Sequence, residues 1–145
     1  MINNGLYTSN TDEWATPDWL FHALNALYHF DLDVCATPEN AKCKHYFTKE
    51  QDGLSSKWFG NCWMNPPYGR QIGVWVKTAY QKIVSGECHL VCMLLPARTD
   101  TAWRHDYCMK GEITFIKGRI KFGGAKYNAP FPSAIVVFAN EYLHI

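Results

Sequence analysis

The sequence predicts a three-layer α/β sandwich of the doubly wound kind, folded as a single compact domain over residues 1–145. Three observations carry this. Helix-type and strand-type hydrophobic patterns alternate along the chain, with no internal repeat and no low-complexity linker. His89 to Leu95 is a continuous apolar run closed by Pro96, which suits a strand buried on both faces of a parallel sheet. Finally, 145 residues that are 48% hydrophobic can bury one core but are too few for two ordinary domains.

Residues 1–11 are expected to be a flexible lead-in. Thr16-Pro17-Asp18 reads as a helix start, with Thr16 as N-cap, Pro17 at the first helical position and Asp18 facing the positive end of the dipole. Leu20, Ala23, Leu24 and Leu27 then share a face, and the helix should end near His29. A short strand is expected over Phe30 to Val34 and another over Asn61 to Met64, where Pro66 and Pro67 forbid further ladder hydrogen bonds. Ile72, Trp75, Val76, Ala79, Tyr80 and Ile83 mark an amphipathic helix stopped by Gly86. Thr99 or Asp100 should cap a short helix running to about Tyr107, followed by strands over Glu112 to Lys117 and Ser133 to Ala139 with a Gly-rich stretch between them. In sheets of this kind ligands bind beyond the C-terminal strand ends, where Asp33 and the Asn65 loop both fall.

Composition narrows the function classes. No stretch approaches the roughly eighteen apolar residues of a membrane span, and the N-terminus lacks the basic start and apolar run of a signal peptide, so a cytoplasmic location is expected. Six cysteines without paired CxxC spacing are expected to be reduced. Cys35, Cys43 and His45 lack the further ligands a zinc site needs, so no metal is expected. The net charge of +1 conceals a split: residues 1–52 carry −5 and residues 53–145 carry +6. A polyanion would prefer the second part, although ordinary solvated faces give the same pattern. Nothing in the sequence points to an obligate protein partner.

Asn65-Pro66-Pro67-Tyr68 is the sharpest chemical signal. A Pro-Pro pair is roughly a one-in-400 event per position and means little alone. Flanked by Asn and Tyr at a strand end, it suits chemistry at a planar amine such as the exocyclic amine of adenine. That nitrogen is a poor nucleophile because its lone pair is delocalised, so the site must draw it toward tetrahedral geometry. The Asn65 side-chain oxygen and the Pro66 carbonyl can each accept one N–H, aiming the lone pair at an incoming group. Pro67 fixes its own φ and biases Pro66 toward an extended shape that frees the Pro66 carbonyl. Tyr68 offers a ring face on which an extruded base can stack.

With these residues in view, the chain resembles the phage-type, Dam-like DNA adenine-N6 methyltransferases, whose motif is Asp, Asn or Ser followed by Pro-Pro and an aromatic residue. Similar elements are Asp12-Glu13-Trp14 with Thr16-Pro17, Leu32-Asp33-Val34-Cys35-Ala36, Asp52-Gly53-Leu54, Leu95-Pro96-Ala97-Arg98-Thr99-Asp100, Gly118-Arg119-Ile120-Lys121-Phe122 and Pro130-Phe131-Pro132-Ser133. They occur in the family's order over about residues 12–139. The resemblance implies a Rossmann-like fold, S-adenosyl-L-methionine as methyl donor, DNA as partner, a flipped adenine as substrate and protection of phage DNA from restriction. It also implies cofactor-binding roles for Thr16, Pro17, Asp33, Asp52 and Asn65. The chain departs from the broader methyltransferase pattern in lacking a Gly-x-Gly turn after Asp33.

Plainer readings stand beside these. Asp33 can cap the turn near Pro38, and Asp52 before Gly53 can be an ordinary turn residue. Phe122 is by default a core aromatic, yet its Gly-rich context suits a second stacking wall for a flipped base. Arg98, Arg104, Arg119, Lys121 and Lys126 are candidate phosphate contacts or solvated surface charges. Two rival functions also remain open at this stage: methyl transfer to RNA or to a protein glutamine amide, and a catalytically silent nucleic-acid-binding module.

Overall fold

The computed structural model describes residues 14–143, so the expectation for residues 1–11, and Asp12 and Glu13 with it, lies outside the described part. In chain order the elements are α1 (Asp18–Tyr28), β1 (Leu32–Asp33), β2 (His45–Tyr46), β3 (Asn61–Met64), α2 (Ile72–Val84), β4 (Leu90–Pro96), α3 (Ala102–Asp106), β5 (Glu112–Phe115) and β6 (Ser133–Ala139). The strands form one six-stranded sheet in the order β2-β1-β3-β4-β6-β5. β1 runs parallel to β2 and β3, and β3 parallel to β4, whereas β6 lies antiparallel to both β4 and β5. The fold is thus mixed α/β, and the sheet is mixed rather than all-parallel.

β4 and β6 form the centre of the core, with every residue of both strands buried. This explains why their sequences, apart from Ser133 at the start of β6, are apolar instead of alternating. α2 presents Ile72, Trp75, Val76, Ala79 and Ile83 inward as its spacing requires, and Gly86 follows its last turn at φ 79°.

α1 differs from expectation at its start and on its buried face. Pro17 occupies the N-cap position, and its carbonyl accepts from the Leu20 and Phe21 amides at 3.2 Å. Thr16 is not the cap because its hydroxyl is engaged with Asn65. The buried residues are Leu20 and Phe21, while Leu27 is 66% exposed. The helix is turned by the Phe21 ring, which meets Trp63 edge-on at 5.6 Å and Phe30 at the same distance. Because Phe30 serves that aromatic cluster, β1 shrinks to Leu32–Asp33.

Three smaller departures have local causes. α3 is capped by Thr101, not Thr99 or Asp100: the Thr101 Oγ1 accepts from the Arg104 amide at 3.4 Å and donates to the Arg98 carbonyl at 3.0 Å. β5 stops at Phe115, two residues short. β2 was not expected at all, because two residues are too few to show a period. All six cysteines are free thiols. Among the described residues no helix is long and apolar enough to cross a membrane, and no group of three or more His, Cys, Asp or Glu is placed to hold a metal.

Gly53 is demanded by close packing. A Cβ there would stand 2.1 Å from the Val34 carbonyl oxygen and 2.9 Å from the Trp75 ring. Its own carbonyl accepts the Trp58 indole N–H at 2.8 Å, so the turn cannot retreat without breaking that bond. Gly53→Ala is therefore expected to cost about 2–3 kcal/mol of stability through overpacking, as read from the midpoint of urea unfolding.

Candidate active site

The order β2-β1-β3-β4 means that the chain leaves β1 toward one side and returns as β3 on the other. A crevice opens where such a reversal occurs, beyond the C-terminal strand ends. Asp33 closes β1 opposite Trp63 of β3, and Asn65 follows β3 directly, so the two residues border the same opening. A cavity of about 770 Å³ occupies it, a size suited to a small organic ligand. Thr16, Asp33, Asp52, Asn65, Pro66, Pro67 and Phe122 all line its wall, so seven of the predicted site residues converge from five separate segments.

The Asn65 side chain is fixed in one orientation. Its Nδ2 donates to the Trp14 carbonyl and to the Thr16 Oγ1, at 3.0 Å for the latter. A carbonyl can only accept, so the amide nitrogen must face Trp14 and the oxygen must face away. That oxygen, Oδ1, is buried with no hydrogen-bond partner among the described residues. Leaving such an acceptor unsatisfied costs about 1–3 kcal/mol, which a ligand N–H would recover. The loop backbone is tied as well, since the Cys35 thiol donates to the Asn65 carbonyl at 3.2 Å. Burial, followed by the nearby Asp33, pushes the Cys35 pKa well above its usual range, so the group acts as a neutral donor and not as a nucleophile.

Asp33 is 3% exposed. Its carboxylate accepts from the Cys35 amide at 3.4 Å and the Lys42 amide at 3.1 Å, shaping the loop after β1. The turn near Pro38 is closed instead by the Thr37 and Asn40 side chains, and Asp33 lines the cavity. Burial raises its pKa from an ordinary 3.8 to about 7, only partly opposed by those two amides. A buried acid of this kind favours a cationic or hydrogen-bond-donating ligand. Asp52 combines both readings: it sits in a left-handed turn at φ 54°, accepts from the Ser55 hydroxyl at 2.6 Å, and lines the cavity.

The aromatic residues are arranged differently from the sequence expectation. Tyr68 is 3% exposed, and its hydroxyl donates to the Leu94 carbonyl at 2.9 Å. Its ring stands edge-on to Phe122 and Phe131 at 6.2 and 5.6 Å and does not form part of the cavity wall, so no stacking face is offered in this arrangement. Phe122 does line the cavity, buried against Trp14 at 5.5 Å. The Gly123 amide donates to the Ala15 carbonyl at 2.8 Å, pinning this Gly-rich loop to the segment that holds Asn65.

Of the five basic residues, Arg98, Arg119, Lys121 and Lys126 are exposed. They lie on the loops after β4 and between β5 and β6, which leave the sheet together: the Ala97 amide donates to Pro132 and the Ile116 amide to Ser133. β4 and β3 are parallel, so this is the edge that carries Asn65. Arg104 corrects the sequence reading. It is 2% exposed, with Nη2 donating to the Pro96 carbonyl at 3.0 Å, because α3 turns it back beneath the end of β4. Sequence reasoning also gave no site role to Trp14, Cys35 or Trp75. The first two act through contacts 51 and 30 residues away, and the third was absorbed into the apolar face of α2.

Comparison with known proteins places the chain in a family. Residues 4–143 match the family model described as DNA N-6-adenine-methyltransferase (Dam). The chain is 37% identical over 128 residues to the DNA N-6-adenine-methyltransferase of Haemophilus phage HP1 (strain HP1c1), covering 84% of this chain and 72% of that protein. It is 36% identical over 95 residues to the DNA N-6-adenine-methyltransferase of Escherichia phage T1, covering 63% of this chain and 39% of that relative. With nearly its whole length matched and the Asn65 loop at a strand-end cavity, the chain belongs to the DNA N-6-adenine-methyltransferase (Dam) family.

Proposed function

We propose that this chain transfers a methyl group from S-adenosyl-L-methionine to the exocyclic N6 amine of a flipped adenine in DNA, on a Rossmann-like fold. The observation that carries this is the buried, unpartnered Asn65 Oδ1 beside a cavity bordered by Asp33. An acceptor locked in that orientation fits a ligand N–H, and the buried acid fits a cofactor bearing positive charge. The cofactor supplies, when bound, a methyl group on a sulfonium whose sulfur leaves with the bonding pair.

The residues of the chain do the rest. Asn65 Oδ1 accepts one N–H of the adenine amine, and the Pro66 carbonyl takes the other. Both bonds favour a pyramidal nitrogen and orient its lone pair toward the methyl carbon. The new N–C bond forms as the C–S bond breaks, and the nitrogen then loses a proton to solvent. Cys35, held neutral, stays out of the covalent chemistry. To offer its face to a base, the Tyr68 ring must part from Phe122 and leave the Leu94 carbonyl. Both rings then become stacking walls, as the sequence motif suggests. Arg98, Arg119, Lys121 and Lys126 contact phosphates along the same edge, and a domain this small suits a short or permissive target sequence. Methylation of this type suits protection of phage DNA from restriction.

Labelled methyl transfer to DNA, RNA and protein in parallel tests the reading, with incorporation expected into DNA alone. Asn65→Ala is expected to lower kcat about a hundredfold or more while leaving cofactor affinity nearly unchanged, because it removes an acceptor aimed at the substrate. Asp33 gives a pH signature. Its pKa near 7 lies above the unfolded value, so stability of the ligand-free protein falls as pH rises from about 4 through about 7. Over the same upper range cofactor affinity rises, because the cation binds the carboxylate form. Asp33→Asn should weaken binding and flatten both profiles, as measured by calorimetry and thermal melts. Replacing Arg119 and Lys121 together by Ala should make the log–log salt dependence of DNA affinity shallower by about 2 units.

A further inference from the structure

Two cavity-lining side chains carry a buried polar atom without a partner among the described residues: Asn65 with Oδ1 and Trp75 with Nε1. Asn65 is explained by the substrate amine. Trp75 is not used by any step above. It is 6% exposed on the inner face of α2, and its ring lies against the Asp52–Gly53 turn, close enough to exclude a side chain at Gly53. Trp58 packs at the same turn and shows the contrast: its indole N–H is satisfied by the Gly53 carbonyl at 2.8 Å. Two tryptophans thus meet one turn, and only one of them has its donor occupied.

An indole N–H is a donor only, and buried Trp normally finds an acceptor. Asp52, beside the same turn and on the same cavity wall, is an acceptor. A donor and an acceptor on one cavity wall suit the edge of a purine, which carries an amine next to a ring nitrogen. We propose that the Trp75 indole N–H donates to a ring nitrogen of a purine bound in this cavity, beside Asp52, which accepts from the purine amine. Trp75 is then a specificity-determining residue for the adenosine part of the methyl donor. The inference rests on the reading of this cavity as the cofactor site.

Calorimetry on the full chain tests it, with S-adenosylmethionine and 5′-methylthioadenosine as probes and wild type beside Trp75→Phe. The variant keeps an aromatic ring and removes the donor, so both probes should bind about five- to tenfold more weakly, and by the same factor. A second measurement needs no altered fold: in indole-¹⁵N-labelled wild type, the Trp75 N–H signal, identified by its absence from the variant, should shift on addition of methylthioadenosine. Equal affinities in variant and wild type, with that signal unmoved, overturn the inference while leaving the cofactor site intact. Weakening confined to S-adenosylmethionine overturns the purine assignment, since only that probe carries the amino-acid end. If wild type binds neither probe, the cofactor reading of the cavity fails, and this inference with it.

Discussion

The orientation of one side-chain amide governs the site. Asn65 Nδ2 is committed to the Trp14 carbonyl and the Thr16 hydroxyl, and this forces Oδ1 into a position where no other group of the described chain satisfies it. Were the amide reversed, two acceptor oxygens, Asn65 Oδ1 and the Trp14 carbonyl, would oppose each other. The fold accepts the cost of a desolvated oxygen, about 1–3 kcal/mol, to hold an acceptor ready in the low-dielectric interior. In the proposed methyl transfer, such a bond would need no reorganisation as charge develops on the attacking nitrogen.

That arrangement depends in turn on sheet topology. The chain reverses its direction of travel across the sheet between β1 and β3, so the ends of these two strands open a crevice that continuous winding would have closed. Asp33 and Asn65 are 32 residues apart in the chain yet stand on adjacent parallel strands. The Cys35 thiol, bonded to the Asn65 carbonyl, joins the two strand ends directly. From the other side, the Trp14–Thr16 segment is clamped by the Gly123 amide at Ala15 and by the ring of Phe122. The site is thus gripped by three stretches of chain, which keeps a two-proline loop rigid without any ladder hydrogen bonds of its own.

The aromatic cluster of Trp14, Phe122, Phe131 and Tyr68 gives the site a second property. Its rings pack edge-on, a geometry worth about 0.5–1.5 kcal/mol per pair beyond area burial, and hold Tyr68 of the Asn65 loop against Phe122 and Phe131. Much of that packing is on a loop whose glycines at 118 and 124 have positive φ and open space around them. The same loop carries Arg119, Lys121 and Lys126 on its exposed side. Aromatic packing and the basic surface are therefore properties of one segment.

The sequence by itself determined the α/β class, the extents of α2, β3, β4 and β6, and the placing of the Asn65-Pro66-Pro67-Tyr68 loop at a strand end. Each of these follows from local signals: hydrophobic period, proline's missing N–H, and a continuous apolar run. Thr16, Asp33 and Asp52 were singled out through the family resemblance, and all three line the cavity. Only the tertiary structure decided that Thr16 holds Asn65 and does not cap α1, that Leu27 faces outward, that β6 runs antiparallel, and that Arg104 is buried. It alone placed Trp14 and Trp75 in the cavity wall and turned the Tyr68 ring away from it. The physical reason is that these outcomes are set by which distant partner satisfies a given polar group or covers a given ring, and a hydrogen bond spanning 51 residues leaves no periodic trace in the chain.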